Sequence, residues 1–272
     1  MKALALALTP RWLGYLALAI VFALVSAVFG VWQWDRREQA VTEVRLIQNN
    51  FDQPPRAMSD VFPATAQWHD DLQWLPVTLE GEYVDDEQLL VRTRPRGGQV
   101  GFNVLVPLET SSGEVFVIDR GWIPTGDTRD QPDFIPAPPE GPVKVVARLF
   151  PSEPEIAGRG APEGQVPSVA LSLIDRMLEH SVDTRAYGQL VNETPAPPTR
   201  PLPALTPIPD EGPHLSYSIQ WFVFAALGFV AWAYLFIQEY RYGPAERSKK
   251  PARKRGDDEE FEDAVFDQLE AR

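Results

Sequence analysis

Cysteine is absent from this chain. Without it there can be no disulfide, no thiolate metal site, no covalently attached c-type haem and no cysteine nucleophile. Histidine is almost as scarce, and His69, His180 and His214 are the complete set. No two of them lie close enough in sequence for a His-Glu-x-x-His helix, and no Gly-x-Ser-x-Gly elbow occurs. Lysine is nearly missing from the long middle segment, where Lys144 stands alone among arginines outnumbered by carboxylates. The formal net charge of -13 rests almost wholly there. Such a surface repels a polyanion, so nucleic acid is not an expected partner.

Charge of either sign is missing from two stretches. Residues 13–34, LGYLALAIVFALVSAVFGVWQW, carry no charged side chain, and at about 1.5 Å per residue such a helix spans the roughly 30 Å hydrocarbon core of a bilayer. Residues 215–238 form a second run of the same kind. Everything between them is charged and broken by prolines. The expected fold class is therefore a membrane protein with two transmembrane α-helices flanking an extracytoplasmic, β-rich α+β domain. Its parts are a cytoplasmic N-terminus (1–12), the first span (13–34), the outer domain (35–214), the second span (215–238) and a cytoplasmic tail (239–272).

Orientation follows from lysine and arginine, which resist translocation. Lys2 and Arg11 precede the first span, and Arg241, Arg247, Lys249, Lys250, Arg253, Lys254 and Arg255 follow the second. Both termini are thus expected in the cytoplasm of a multi-pass cell-membrane protein. Arg36 and Arg37 oppose this reading, but they sit beside Asp35 and Glu38 and are outweighed by the C-terminal cluster. A cleaved signal peptide with a small-residue site after Ala27 is the competing reading of the N-terminus. Trp32 and Trp34 favour a retained span, because tryptophan collects where a helix leaves the membrane. The middle domain ends up outside in either case.

Beyond the first span, residues 35–48 carry a loose apolar stripe of Val41, Val44, Leu46 and Ile47 that continues the helix outward until Asn49-Asn50 and Pro54-Pro55 end it. Alternating runs follow at 75–84, 89–93, 102–108, 115–120 and 143–150, separated by Gly, Pro and Asp clusters. They predict an antiparallel sheet able to close into a small barrel. Leu171, Ile174, Met177 and Leu178 recur at helical spacing and predict a short helix over 171–180 covering an open side of that sheet. Residues 195–213 are proline-dense and predict a stiff, extended strap leading back to the membrane. The acidic end beyond Arg255 has two readings, a solvated tail or a docking helix with Phe261, Val265, Phe266 and Leu269 on one face.

Several of these segments together resemble the Surfeit locus protein 1 family. The first span ends Gly30-Val31-Trp32-Gln33-Trp34-Asp35-Arg36, and the second opens His214-Leu215-Ser216-Tyr217-Ser218-Ile219-Gln220-Trp221-Phe222. Between them, Gly81 and Tyr83 match an early strand motif. Arg94-Pro95, Gly101-Phe102 and Pro107-Leu108 match a central one, and Val117-Ile118-Asp119-Arg120-Gly121-Trp122-Ile123-Pro124 matches an Arg-Gly-Trp motif. The resemblance extends over residues 13–240. The chain departs from the pattern at Glu211-Gly212-Pro213, where the family often has asparagines, and in its C-terminal tail.

The resemblance implies a non-enzymatic assembly factor for haem-copper cytochrome c oxidase. It would act when a-type haem enters the catalytic subunit, by transient binding of haem a. Its partners would be cytochrome c oxidase subunits, haem a synthase and membrane lipid. The composition looks actinobacterial, which makes a bacterial plasma membrane the expected setting.

Haem iron needs an axial base, and without cysteine the ligands left are histidine, then tyrosine and methionine. His214 stands at the outer mouth of the second span, and the resemblance makes it the candidate iron ligand. Tyr217, Ser218, Trp221, Ala225 and Gly228 follow it on one helical face, and Trp32 and Gln33 lie at the matching depth of the first span. His214, Tyr217, Trp221, Trp32 and Gln33 thus make a candidate haem pocket, with Arg120 as a candidate partner for a haem propionate. Each has a plainer reading. The aromatics and His214 also suit a membrane-boundary belt, and Arg120 also suits a buried ion pair with one of many carboxylates. The alternatives to haem custody are a scaffold or accessory subunit docked on a respiratory complex, and an envelope hydrolase, for which no motif speaks.

Overall fold

A computed structural model describes residues 2–127 and 130–243. Its elements are α1 (Lys2–Ala7), α2 (Pro10–Asn50), β1 (Arg56–Ala57), α3 (Met58–Val61), β2 (Pro76–Tyr83), β3 (Leu89–Val91), β4 (Gly101–Thr110), β5 (Val115–Pro124), β6 (Val143–Pro151), β7 (Gln165–Val166), α4 (Leu171–Met177), β8 (Ala186–Thr194) and α5 (His214–Tyr242). They form two units. One contains the chain up to Arg36 and from Pro213 onward; the other is Arg37–Gly212.

The first unit is a helix pair. Both α2 and α5 are long and apolar enough to cross a membrane, and their large side chains lie mostly exposed. That is the pattern of helices whose solvent is lipid. Association in lipid needs close backbone approach, and small residues supply it. A Cβ on Gly228 would stand 2.9 Å from the Phe22 ring, and one on Gly30 would stand 3.0 Å from the Phe222 ring. Ser218 is buried and its hydroxyl donates to the Gly30 carbonyl at 2.9 Å. Phe29 stacks on Trp221, and Trp12 packs edge-on against Trp232 and Phe236.

The second unit is built on a closed barrel. β2 pairs antiparallel with both β4 and β6, β4 with β5, and β6 with β8, while β8 closes the ring through a short parallel pairing with β5. The neighbour order β6-β2-β4-β5 is that of a Greek key, with β8 inserted between its ends. β3 and β7 extend the sheet beyond β4, and β1 lies beside β2. Gly81 is where the ring turns, since it faces Thr110 on one side and Val143 on the other. A Cβ there would lie 2.1 Å from the Glu109 carbonyl oxygen, so only glycine permits the closure.

β4 and β5 are buried on both faces, which is why they read as near-continuous apolar runs. Leu108, Phe116 and Ile118 join Val145, Ala147 and Leu149 in one core. Leu105, Val115 and Val117 belong to another, covered by Leu171 and Ile174 of α4. The expected covering helix is therefore present but shorter than 171–180, ending at Met177, whose side chain is exposed. β5 runs on to Pro124, beyond the expected end at residue 120. β8 was not expected from the sequence at all. Its glycine and amides blur the alternation, and Gly188 is needed because a Cβ would stand 2.8 Å from that of Ala147. The tail beyond residue 243, with its two readings, lies outside the described residues.

Candidate functional site

The outer ends of α2 and α5 bring two candidate residues into direct contact. His214 is the first residue of α5, and its Nδ1 lies 2.9 Å from Gln33 Oε1 on α2. With the amide oxygen as acceptor, Nδ1 carries the proton and donates it, leaving Nε2 with its lone pair. This is the arrangement by which an outer partner fixes the tautomer of a metal-binding histidine. The pairing of Ser218 with Gly30 lies just beneath it in sequence on both helices and holds them at contact distance.

The aromatic candidates stand on the same two helices. Trp221 is half-buried and stacked 4.9 Å from Phe29, whereas Tyr217 and Trp32 are exposed. Arg36 lies 5.8 Å over the Trp32 ring. These residues present an open, aromatic helix surface rather than a closed cavity. The other two histidines stand elsewhere: His180 is tied to Glu87 at 2.8 Å, which raises its pKa, and His69 precedes a short turn of the barrel unit.

Arg120 does not join this group. It lies inside the barrel unit with its side chain fully buried, and Glu193 beside it is equally sealed. Its Nη2 donates to Glu193 Oε1 at 2.9 Å and its Nη1 to the Pro136 carbonyl at 2.9 Å. Tyr83 donates its hydroxyl to Glu193 Oε2 at 2.9 Å, and the guanidinium sits 5.5 Å over the Tyr83 ring. Burial and the Glu193 charge raise the Tyr83 pKa, so the phenol keeps its proton and remains a donor. A propionate-binding arginine needs free, accessible donors; this one is committed to a buried pair, the plainer of its two readings.

Arg120 also marks a break in register. Leu105 faces Asp119 and Val104 faces Gly121, so Arg120 is the extra residue of a β-bulge. Asp119 Oδ1 accepts from the Gly121 N–H at 3.0 Å, and Asn103 donates to Oδ2 at 2.7 Å. Burial pushes the Asp119 carboxyl up to about 6, against the pull of those two donors. Gly121 has a φ of +128°, and a Cβ there would stand 2.4 Å from the Leu202 carbonyl oxygen.

Comparison with known proteins covers the span that holds these residues. A model of the SURF1 family matches residues 20–226. The chain belongs to the SURF1 family. A SURF1-like protein of Mycobacterium tuberculosis is 31% identical over 258 residues, covering 92% of this chain and 93% of that one. A SURF1-like protein of Caenorhabditis elegans is 19% identical over 252 residues, covering 83% and 75%. The yeast cytochrome oxidase assembly protein SHY1 is 25% identical over 144 residues, covering 50% of this chain and 36% of its own.

Within this SURF1 chain, the quoted motifs meet in two places of the barrel unit. Tyr83 and Arg120 share Glu193, as described. Arg94 accepts, through its carbonyl, the indole N–H of Trp122 at 2.6 Å, while Gly101 lies so close that a Cβ would meet the Trp122 ring at 2.4 Å. Arg94 itself pairs with Glu153 at 2.6 Å. The motif residues are thus largely the joints of the barrel. Glu193 and Leu202, their partners, escaped the sequence reading because nothing local marks them.

Proposed function

We propose that this protein assists the assembly of a haem-copper cytochrome c oxidase and holds haem a transiently at the outer ends of α2 and α5. Membership of the SURF1 family and the name of the yeast relative support the assembly role. The observation that carries haem custody is the contact of His214 Nδ1 with Gln33 Oε1. A bound haem a would bring an iron that a histidine imidazole can hold. His214 offers Nε2 for that purpose, Gln33 holds the ring, and Trp221, Trp32 and Tyr217 offer aromatic surface for a macrocycle at the membrane boundary. In this reading the protein binds, positions and releases the haem. The lysines and arginines beyond α5 support a topology with both termini in the cytoplasm and the barrel outside.

The test is an absorption spectrum of protein purified in detergent from cells that make haem a. Stoichiometric a-type haem is expected in the unaltered protein and none in His214→Ala. Gln33→Ala should bind about 10–100-fold more weakly, as loss of an orienting partner does. A colourless but folded protein overturns haem custody and leaves a scaffold that docks on the oxidase.

A further inference from the structure

The helix pair carries a groove that the contact at its outer ends does not use. From His214, steps of four and three residues along α5 lead to Ser218, Trp221, Ala225, Gly228 and Trp232. Back from Gln33, the same steps along α2 lead to Phe29, Ser26, Phe22, Ala19, Tyr15 and Trp12. A repeat that averages 3.5 residues keeps one face of each helix toward its partner over the whole length. The contacts follow it: Phe29 lies on Trp221, Phe22 meets Gly228 and Trp12 meets Trp232. His214 and Gln33 therefore stand at one end of a single seam.

Farther along, the seam opens into a groove of about 350 Å³. Trp12, Tyr15, Phe22 and Trp232 wall it, with the small residues Ala19 and Gly228 between them, and its lining carries no charge. Its volume is at the lower end of the roughly 300–1,000 Å³ of small-molecule sites, which suits a chain better than a macrocycle. Phe22, at the near end, is eleven residues before Gln33, or about 16 Å of helix at about 1.5 Å per residue.

Haem a bears a hydroxyethylfarnesyl chain at its ring edge, and haem b does not. We propose that the groove takes this isoprenoid tail, so that Phe22, Trp232 and the small residues beside them select a farnesylated haem. The proposal rests on haem custody at His214. From there, the radius of the macrocycle and a chain of three isoprene units together cover the distance to Phe22 and reach past it. Phe29 and Trp221 offer aromatic surface along the way. A farnesyl chain is stiffened by its double bonds and carries a methyl branch on each unit, so flat rings beside small-residue recesses fit it closely and hold it by dispersion. A straight lipid tail is the weaker occupant. It gains nothing by leaving an equally apolar solvent, and it has no branches to seat in those recesses.

Titration of the haem-free full chain in detergent with haem b, haem o and haem a, read at the Soret band, tests it. Haem o carries the farnesyl chain without the formyl group of haem a, so haem o against haem b isolates the tail. Haem o and haem a should bind at least about tenfold more tightly than haem b, the discrimination an apolar pocket gives. Leu18→Trp and Leu235→Trp each place an indole in the groove from its rim, where the leucines are 67% and 51% exposed. Each should bring the ratio close to one, the loss falling on the tailed haems. Partition of the tail into detergent is common to parent and variant and cancels. Val28→Trp, on an exposed part of α2 outside the groove, should keep the ratio. His214→Ala should lose all three haems. Equal affinity of the parent for haem o and haem b leaves lipid in the groove and overturns the tail site while haem custody stands, and so does a preference that survives both groove variants. Failure to bind any of the three overturns haem custody and the tail site with it.

Discussion

The helix pair and the barrel handle buried polarity in opposite ways. In the barrel an arginine and a glutamate are fully sealed, and every one of their strong contacts is met by Tyr83, the Pro136 carbonyl or each other. In the helix pair a neutral hydrogen bond, Ser218 to Gly30, is a buried polar contact, and the packing comes from glycines and aromatic rings. The difference follows from the solvent. Around the barrel, water makes apolar burial favourable, and that drive can carry the desolvation of an ion pair. Around the helices, lipid is as apolar as their side chains, so only close fit and a few hydrogen bonds hold them together.

Removing one member of the sealed pair should have the largest effect. Glu193→Ala leaves Arg120 buried without its counter-charge and Tyr83 without its acceptor, and should destabilise the barrel by about 3–5 kcal/mol. Thermal unfolding followed by near-ultraviolet circular dichroism reads this, while the helical signal should persist to higher temperature. Simultaneous loss of both signals would break the comparison.

Gly121→Val should come next, at about 3 kcal/mol, from a β-branched side chain at positive φ pressed against the Leu202 carbonyl. Limited proteolysis should then cut the strap faster than in the parent.

Asp119 gives a dependence on pH. Its folded pKa, about 6, lies above the ordinary carboxylate value of 3.8. The folded state therefore holds the proton more tightly than the unfolded one. The contribution is fully present below the ordinary value and is lost as pH rises through about 6. Barrel stability should fall by on the order of 3 kcal/mol across that window, and Asp119→Asn should flatten the slope. A slope unchanged by the substitution would assign the dependence to another group.

The smallest effect belongs to the helix pair. Ser218→Ala should weaken helix association by about 0.6 kcal/mol, typical of a single hydrogen bond in a bilayer. Measured by interhelix distance or by retained haem, a loss as large as that of Glu193→Ala would mean that the two units follow the same rules after all.

Legibility divided along the same line. The two long helices were readable because a run of uncharged residues is a local property, and His214 and Gln33 were matched in depth simply by counting from the ends of those runs. Four of the five ring strands, and β3 beside them, were readable from alternation, and the strap from its prolines. β8 was not, because Gly188, Gln189 and Asn192 interrupt its pattern for reasons that lie in β6 and β5. Nor was Glu193, the partner of Arg120, although both residues were in view: a carboxylate 73 positions away is one among many until register selects it.

What the sequence determined by itself was therefore everything set by short-range chemistry: two apolar spans, the excess of acid in the middle segment, the stiff strap, and a single histidine at a span's mouth. Tertiary structure alone decided which strand closes the barrel and that Arg120 is a bulge residue sealed against Glu193. The physical reason is range. Helix length and proline stiffness follow from neighbouring residues, whereas ring closure and ion-pair choice depend on registers between segments the chain brings together only on folding.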